Sequence, residues 1–357
     1  MKVVIAGGGT GGHLFPGVAI AEELRQRGHE MLFIGTAKGI EARYCEKEGW
    51  PLALIEVTGI KGKGMNTALR SAFAMPKAIW QARRILQRVA ADCVVGVGGY
   101  ASGPVGLATL SLGKPLYLLE QNSVPGITNR VLGRVARQIF GTFEEARQFF
   151  PIERYRLTGN PLRRAVREAF SREKRLEAPD TLLIVGGSQG AHGVNTLVSD
   201  ALIELHRNGR AVPTLHQCGH ADFEALEQKY RSAQVKVELL PFIDRMEHAY
   251  RRTRLVIGRA GATTISELLA LGLPSVLIPL PNAADDHQSK NAAEIAAAGA
   301  AVVCSQATTT GASLAVEISS LFFDSVRLAK MSAAALGAAR RDAHTEIADA
   351  IVGASVA

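Results

Sequence analysis

Three observations predict an α/β fold made of two doubly wound units. Strand-length apolar runs alternate with helical stretches along the whole chain. Glycine-rich turns follow the apolar runs at 2–6, 94–97 and 182–185, and the strand, glycine turn, helix pattern restarts after Asn160-Pro161. Such alternation calls for parallel sheets covered by helices on both faces, and 357 residues are too many for one ordinary core.

Taken in order, residues 2–6 form a buried strand, and GGGTGGH at 7–13 turns into a helix over 14–27. Residues 31–34 are the next strand. The strand at 94–97 runs into GVGGYASG at 96–103 and a helix over 104–112, and the strand at 116–119 ends in EQNSVPG at 120–126. A polar connector spans 163–180. The second half opens with a strand at 182–185 and GGSQGA at 186–191. Strands at 213–217, 235–239, 254–257, 275–278 and 301–303 then alternate with helical stretches, and the Ala-rich tail over 332–356 reads as helical. Ligands of such sheets bind beyond the carboxyl ends of the strands, so two units facing each other would form a cleft.

Composition narrows the class. The N-terminus lacks the apolar core and cleavage site of a signal peptide, and no apolar run reaches the ~20 residues that cross a bilayer. Cys45, Cys93, Cys218 and Cys304 are scattered without a CxxC pair, which argues against zinc and against a disulfide framework. These features point to the cytoplasm. The net charge of +8 is local: residues 1–160 carry 20 Lys/Arg against 12 Asp/Glu, while residues 161–357 carry 21 of each. Between Glu56 and Asp92 there is no acid, yet Lys61, Lys63, Arg70, Lys77, Arg83, Arg84 and Arg88 lie there, interleaved with Met65, Leu69, Phe73, Met75, Ile79 and Trp80. A basic segment with bulky apolar residues suits an anionic membrane surface; a solvated helix with an apolar inner face is the plainer alternative. No nucleic-acid motif accompanies the charge.

The glycine turns limit the chemistry. GGGTGGH contains GxGxxG at Gly7, Gly9 and Gly12, but the second strand ends in Phe33-Ile34-Gly35-Thr36 without the acid that holds a dinucleotide ribose, which speaks against NAD. There is no GxxxxGK[ST] P-loop. His13, at the start of the helix, is either packed on the sheet or a base near neutrality. RAGATTISE at 259–267 follows a strand and opens a helix, so backbone N–H groups and the positive helix end face any ligand there. A diphosphate suits that place, and Glu267 one or two turns on could accept from a ribose diol.

GGGTGGH, GGYASGP at 98–104, EQNSVPG, GNP at 159–161, GGSQGA and RAGATTISE, with QSKNA at 288–292, together resemble the MurG family, the peripheral membrane glycosyltransferases of glycosyltransferase family 28 that make lipid II in bacterial peptidoglycan synthesis. The resemblance runs from residue 7 to residue 292. It implies a GT-B fold, two Rossmann-like doubly wound domains facing across a cleft, with domains at 1–160 and 161–335 and a C-terminal helix over 336–357 returning to the first. It implies inverting transfer of N-acetylglucosamine from UDP-N-acetylglucosamine to the 4-hydroxyl of the muramoyl sugar of lipid I.

By matching motif, Ser188, Gln189 and Gly190 would approach the diphosphate and Ile243 the uracil. Ala262, Thr263, Thr264, Ile265 and Ser266 would line the nucleotide, with Glu267 on the ribose, Gln288 on the sugar hydroxyls and Arg163 on the nucleotide. Thr263 stands where the family often has Leu. Thr10, Gly11, Gly12 and Asn122 would face the donor sugar. His13, Tyr100 and Glu120 would line the acceptor side, His13 as first candidate for the base and Glu120 as second. Phe73, Met75, Lys77, Ile79, Trp80, Arg83 and Arg84 would meet the anionic inner leaflet on the cytoplasmic face of the cell membrane, other cell-wall synthesis proteins being further expected partners. No DxD pattern stands out, Asp285-Asp286 being adjacent rather than spaced, so no cofactor or metal is expected to be obligatory. A related transferase acting on another lipid, a UDP-sugar epimerase, an NAD oxidoreductase and a non-catalytic nucleotide-sugar module are the competing classes.

Overall fold

The computed structural model describes residues 1–57, 65–172, 179–187, 190–281 and 283–354, with side chains described except at 65–74, 169–172 and 284. Ser188 and Gln189, Lys61 and Lys63, and the side chain of Phe73 lie outside the described residues. The chain divides into two compact units, Met1–Arg163 with Arg341–Ala357, and Arg164–Arg340.

The first unit is built on β1 (Lys2–Ala6), β2 (Glu30–Gly35), β3 (Leu52–Leu54), β4 (Cys93–Gly96), β5 (Leu116–Glu120), β6 (Gln138–Gly141) and β7 (Tyr155–Leu157). These form one sheet in the order β3-β2-β1-β4-β5-β6-β7, parallel throughout. The second unit carries β8 (Thr181–Val185), β9 (Thr214–Gln217), β10 (Glu238–Leu240), β11 (Thr253–Gly258), β12 (Ser275–Leu277) and β13 (Ala301–Val303). Its order is β10-β9-β8-β11-β12-β13, again parallel. In both sheets the strand order reverses between the first and fourth strands, which is where a doubly wound sheet opens its ligand crevice. The glycine loops after β1, β4, β8 and β11 lie at those two points.

Burial on both faces explains the near-continuous apolar strands. Val3, Val4, Ile5 and Ala6 of β1 are at most 1% exposed, as are Leu182, Leu183 and Ile184 of β8. The odd and even residues of β1 enter separate cores: Val3 and Ile5 pack with the helix Gly11–Gln26, while Val4 and Ala6 pack with Ala82, Leu86 and Val105.

The strands β3, β6 and β7, each three or four residues long, were not anticipated. The strand expected at 235–239 is shifted to Glu238–Leu240. The tail is two helices, not one: Ser325–Ala338 ends where Ala339 turns extended, and Ala343–Gly353 follows. That break is where the chain passes from the second unit to the first, so the last helix packs on Gly11–Gln26, with Ile347 and Ile351 in the first unit's core and Arg27 paired to Asp349.

Candidate active site

In the first unit the loops after β1, β4 and β5 meet. Gly7, Gly8 and Gly9 have positive φ, as have Gly98 and Gly99. A Cβ on Gly7 would lie 2.1 Å from the Gly98 carbonyl oxygen, and one on Gly99 would lie 2.1 Å from that of Gly8. The two turns therefore interlock through backbone, and only glycine fits. Thr10 is the N-cap of Gly11–Gln26 and places no side-chain hydrogen bond on that helix. His13 stands one turn in, half-buried, with its ring against Gly98, where a Cβ would meet Nδ1 at 2.8 Å. His13 Nδ1 lies 3.2 Å from Gln121 Oε1, and Gln121 Nε2 donates to the Val97 carbonyl at 3.0 Å. Thr10 and Tyr100 are exposed near this edge and Asn122 is half-buried.

Glu120, the second candidate for the base, is buried. It is 2% exposed, one carboxyl oxygen accepting from the Asn122 backbone N–H at 2.9 Å and the other from Asn129 Nδ2 at 2.8 Å. Burial pushes its pKa up to about 7 against the pull of those hydrogen bonds. Through those bonds Glu120 holds the 120–126 turn.

Glu41 was missed. It lies on the first turn of the helix Ile40–Glu48, is 1% exposed, and reaches back to the end of β2. Its carboxylate accepts from the Gly9 N–H at 2.7 Å, the Thr36 N–H at 2.8 Å and the Thr36 hydroxyl at 3.1 Å. An acid does therefore stand where a dinucleotide ribose would be held, but it is turned onto the protein's own loops. Looking past the strand into the next helical turn would have found it.

In the second unit, parallel strands bring the loops after β8, β9, β10, β11 and β12 to one edge. Gly190, Ile243, the 259–266 turn and Gln288 all come from them or from the helix that follows. Gly190 is required where it is, because a Cβ would lie 2.2 Å from the Cys218 carbonyl. Neither Ala191 nor Gly261, the N-caps of His192–Arg207 and Ala262–Leu271, closes its helix with a side chain, which suits an anion at either N-terminus. Ala262 and Ile265 are buried, Thr263, Thr264 and Ser266 half-buried, and Ile243 half-buried in the loop after β10. Glu267 is 2% exposed and accepts from the Tyr250 hydroxyl at 2.9 Å. Gln288 Oε1 accepts from the Leu280 N–H at 3.0 Å. Arg163 closes the first unit, its guanidinium 5.4 Å from the centre of the Phe15 ring.

Two further supports were not anticipated. Arg259 donates to the Ile278 and Pro279 carbonyls and to Gln306 Oε1, at 3.1, 2.9 and 2.7 Å, fastening the 258–261 turn to the end of β12. Beneath the 186–191 turn, Asn195 donates to the Cys218 carbonyl and to Asp222, and its Oδ1 lies 3.1 Å from His216 Nε2. The Tyr230 hydroxyl lies 2.9 Å from His216 Nδ1, and burial lowers the His216 pKa to about 4. A neutral His216 protonated on Nε2 satisfies every member of that chain.

The basic helix is Met65–Arg88. Ala78, Ala82 and Leu86 are buried and Ile79 packs against the core, which corrects Ile79 as a membrane residue. Trp80 is 55% exposed, with the Arg84 guanidinium 4.7 Å from its ring. Lys77 pairs with Glu56 at 2.8 Å, and Arg83 donates to the Ser111 carbonyl at the end of the helix Ser102–Ser111. Met75 is half-buried. Among the described residues no helix is long and apolar enough to cross a membrane, and no three of His, Cys, Asp and Glu are grouped as metal ligands.

Residues 3–141 match the glycosyltransferase family 28 N-terminal domain and residues 181–347 its C-terminal domain. The chain is 46% identical, over 99% of its length and 92% of the relative's, to the UDP-N-acetylglucosamine–N-acetylmuramyl-(pentapeptide) pyrophosphoryl-undecaprenol N-acetylglucosamine transferase of Myxococcus xanthus. The protein of that name in Geobacter metallireducens is 44% identical, over 98% of this chain and 97% of the relative. The crystal structure of Acinetobacter baumannii MurG matches with a TM-score of 0.80 and 34% identity, covering 99% of both chains. With both of its domains matched in order and at this identity, the chain belongs to glycosyltransferase family 28.

Proposed function

We propose that this chain transfers N-acetylglucosamine from UDP-N-acetylglucosamine to the 4-hydroxyl of the muramoyl sugar of lipid I, inverting the anomeric centre and forming lipid II. The observation that carries the reading is identity of 44–46% over nearly the whole chain to transferases of that name. Donor recognition is assigned to the second unit. The N-termini of His192–Arg207 and Ala262–Leu271 face the diphosphate and meet the charge that grows on departing UDP, with Ser188, Gln189 and Gly190 alongside. Ile243 receives the uracil, Glu267 the ribose and Gln288 the sugar hydroxyls, while Arg163 adds positive charge toward the nucleotide. His13 removes the acceptor proton, and Thr10, Gly11, Gly12, Tyr100 and Asn122 shape the edge around it. No metal is required in this reading.

Peripheral attachment to anionic lipid is part of the same proposal. The helices Met65–Arg88, Ser102–Ser111 and Ile127–Leu132 pack in sequence on one face. Trp80, Leu107, Ile127 and Val131 are exposed on these helices and Val135 just beyond the last of them, with Arg84, Arg130 and Arg134 near them in sequence. The test is transfer of radiolabelled N-acetylglucosamine from its UDP donor to a short-chain lipid I analogue, with UDP-glucose and UDP-N-acetylgalactosamine in parallel and EDTA in one arm. Label in the lipid product, with preference for the N-acetylglucosamine donor and retained in EDTA, is expected. UDP release without transfer would contradict the acceptor, and activity lost in EDTA and restored by Mg²⁺ would contradict metal independence.

A further inference from the structure

Gln121, the middle residue of EQN, has no assigned part in the reaction, yet it is 3% exposed and bridges two of the three loops at His13. Its amide orientation is determined by its surroundings. Nε2 faces the Val97 carbonyl at 3.0 Å, which can only accept, so Nε2 must be the nitrogen and Oε1 must be the atom facing His13. An amide oxygen can only accept, so the proton between it and His13, at 3.2 Å, belongs to the imidazole Nδ1. The ring lies beside the Gly98 backbone, where an added Cβ would meet Nδ1 at 2.8 Å.

We infer that Gln121 is the positioning residue that fixes His13 in the Nδ1–H tautomer, so that Nε2 carries the lone pair that takes the acceptor proton. The inference rests on the reading of His13 as the base. A solvated neutral histidine side chain favours the opposite, Nε2–H tautomer, so without a partner the basic nitrogen would be the one facing Gly98 and Gln121. A neutral amide performs this orientation without the added charge that a carboxylate would place beside the ring, and an added carboxylate would favour the protonated, inactive imidazolium. The adjacent carboxyl of Glu120 is kept apart by its own bonds to Asn122 and Asn129.

The experiment combines nitrogen-15 NMR of histidine-labelled full-length protein at alkaline pH with pH profiles of kcat, using His13→Ala, Gln121→Met and Gln121→Glu. The His13 signals are those lost in His13→Ala. The wild type is expected to show the Nδ1–H tautomer, and Gln121→Met, similar in size but without a polar acceptor, to shift toward Nε2–H and to lose at least ~10-fold in kcat, a modest part of what a general base contributes. Gln121→Glu should move the acid limb of the kcat profile upward by about one unit or more. A purely structural Gln121 would move neither the tautomer nor the limb. An inactive His13→Ala with an unmoved tautomer in Gln121→Met and an unmoved limb in Gln121→Glu overturns the inference alone. Undiminished kcat in His13→Ala overturns the base reading, and this inference with it.

Discussion

Glu41 shows how a single buried carboxylate can organise a loop edge. It takes two backbone N–H groups, from Gly9 and Thr36, that belong to different loops. Each such bond lost costs about 1–3 kcal/mol, so Glu41→Ala is expected to lower stability by about 2 kcal/mol or more, read as a fall in the urea midpoint with an unchanged slope. An unchanged midpoint would mean that water replaces the carboxylate without cost. The titrations of Glu120 and His216 bear on stability with opposite signs. Glu120 has a folded pKa of about 7, above its ordinary 4.5, so its contribution is fully present below pH 4.5 and is lost as pH rises through about 7. His216 has a folded pKa of about 4, below its ordinary 6.5, so its contribution is present above pH 6.5 and is lost as pH falls through about 4. Between pH 4.5 and 6.5 the two slopes oppose each other. Wild type should therefore lose stability relative to Glu120→Ala between pH 4.5 and 7, measured by urea unfolding at each pH. A pH-independent difference between the two proteins would contradict the burial assigned to Glu120.

At the scale of elements, the helix Met65–Arg88 separates its basic residues by task. Lys77 and Arg83 are tied to Glu56 and Ser111, so reversing them disturbs the helix itself, whereas Trp80 and Arg84 face outward. The double change Trp80→Ala with Arg84→Glu is expected to reduce sedimentation with vesicles rich in phosphatidylglycerol several-fold while leaving UDP-N-acetylglucosamine affinity unchanged. Undiminished vesicle binding would make this face a solvated one. The longer strands and the glycine turns were legible in the sequence because two-sided burial writes unbroken apolar runs and positive φ demands glycine. Three short edge or near-edge strands of the first sheet were not. Ile79 looked membrane-facing because composition cannot tell the inner side of an amphipathic helix from the outer. Gln121 was illegible because its role depends on a loop 24 residues away in sequence.

For the whole molecule, two sheets of the same strand order carry different loop chemistry. The first unit's glycine loops are closed onto Glu41 and surround a histidine, and the second unit's loops present two helix N-termini without side-chain caps. The last helix, Ala343–Gly353, returns to the first unit and is fastened there by Ile347, Ile351 and the Arg27–Asp349 pair, so the tail is part of that unit's core. On the proposed reading the two units divide the work, with nucleotide recognition in one and proton removal in the other. The measurement that tests it most directly is single-turnover transfer by His13→Ala at saturating lipid I analogue, together with the affinity of the same protein for UDP-N-acetylglucosamine. Transfer is expected to slow by ~10²-fold or more, the usual size of a lost general base, with donor affinity unchanged. Transfer at the wild-type rate, or a loss explained by weakened donor binding, would contradict it.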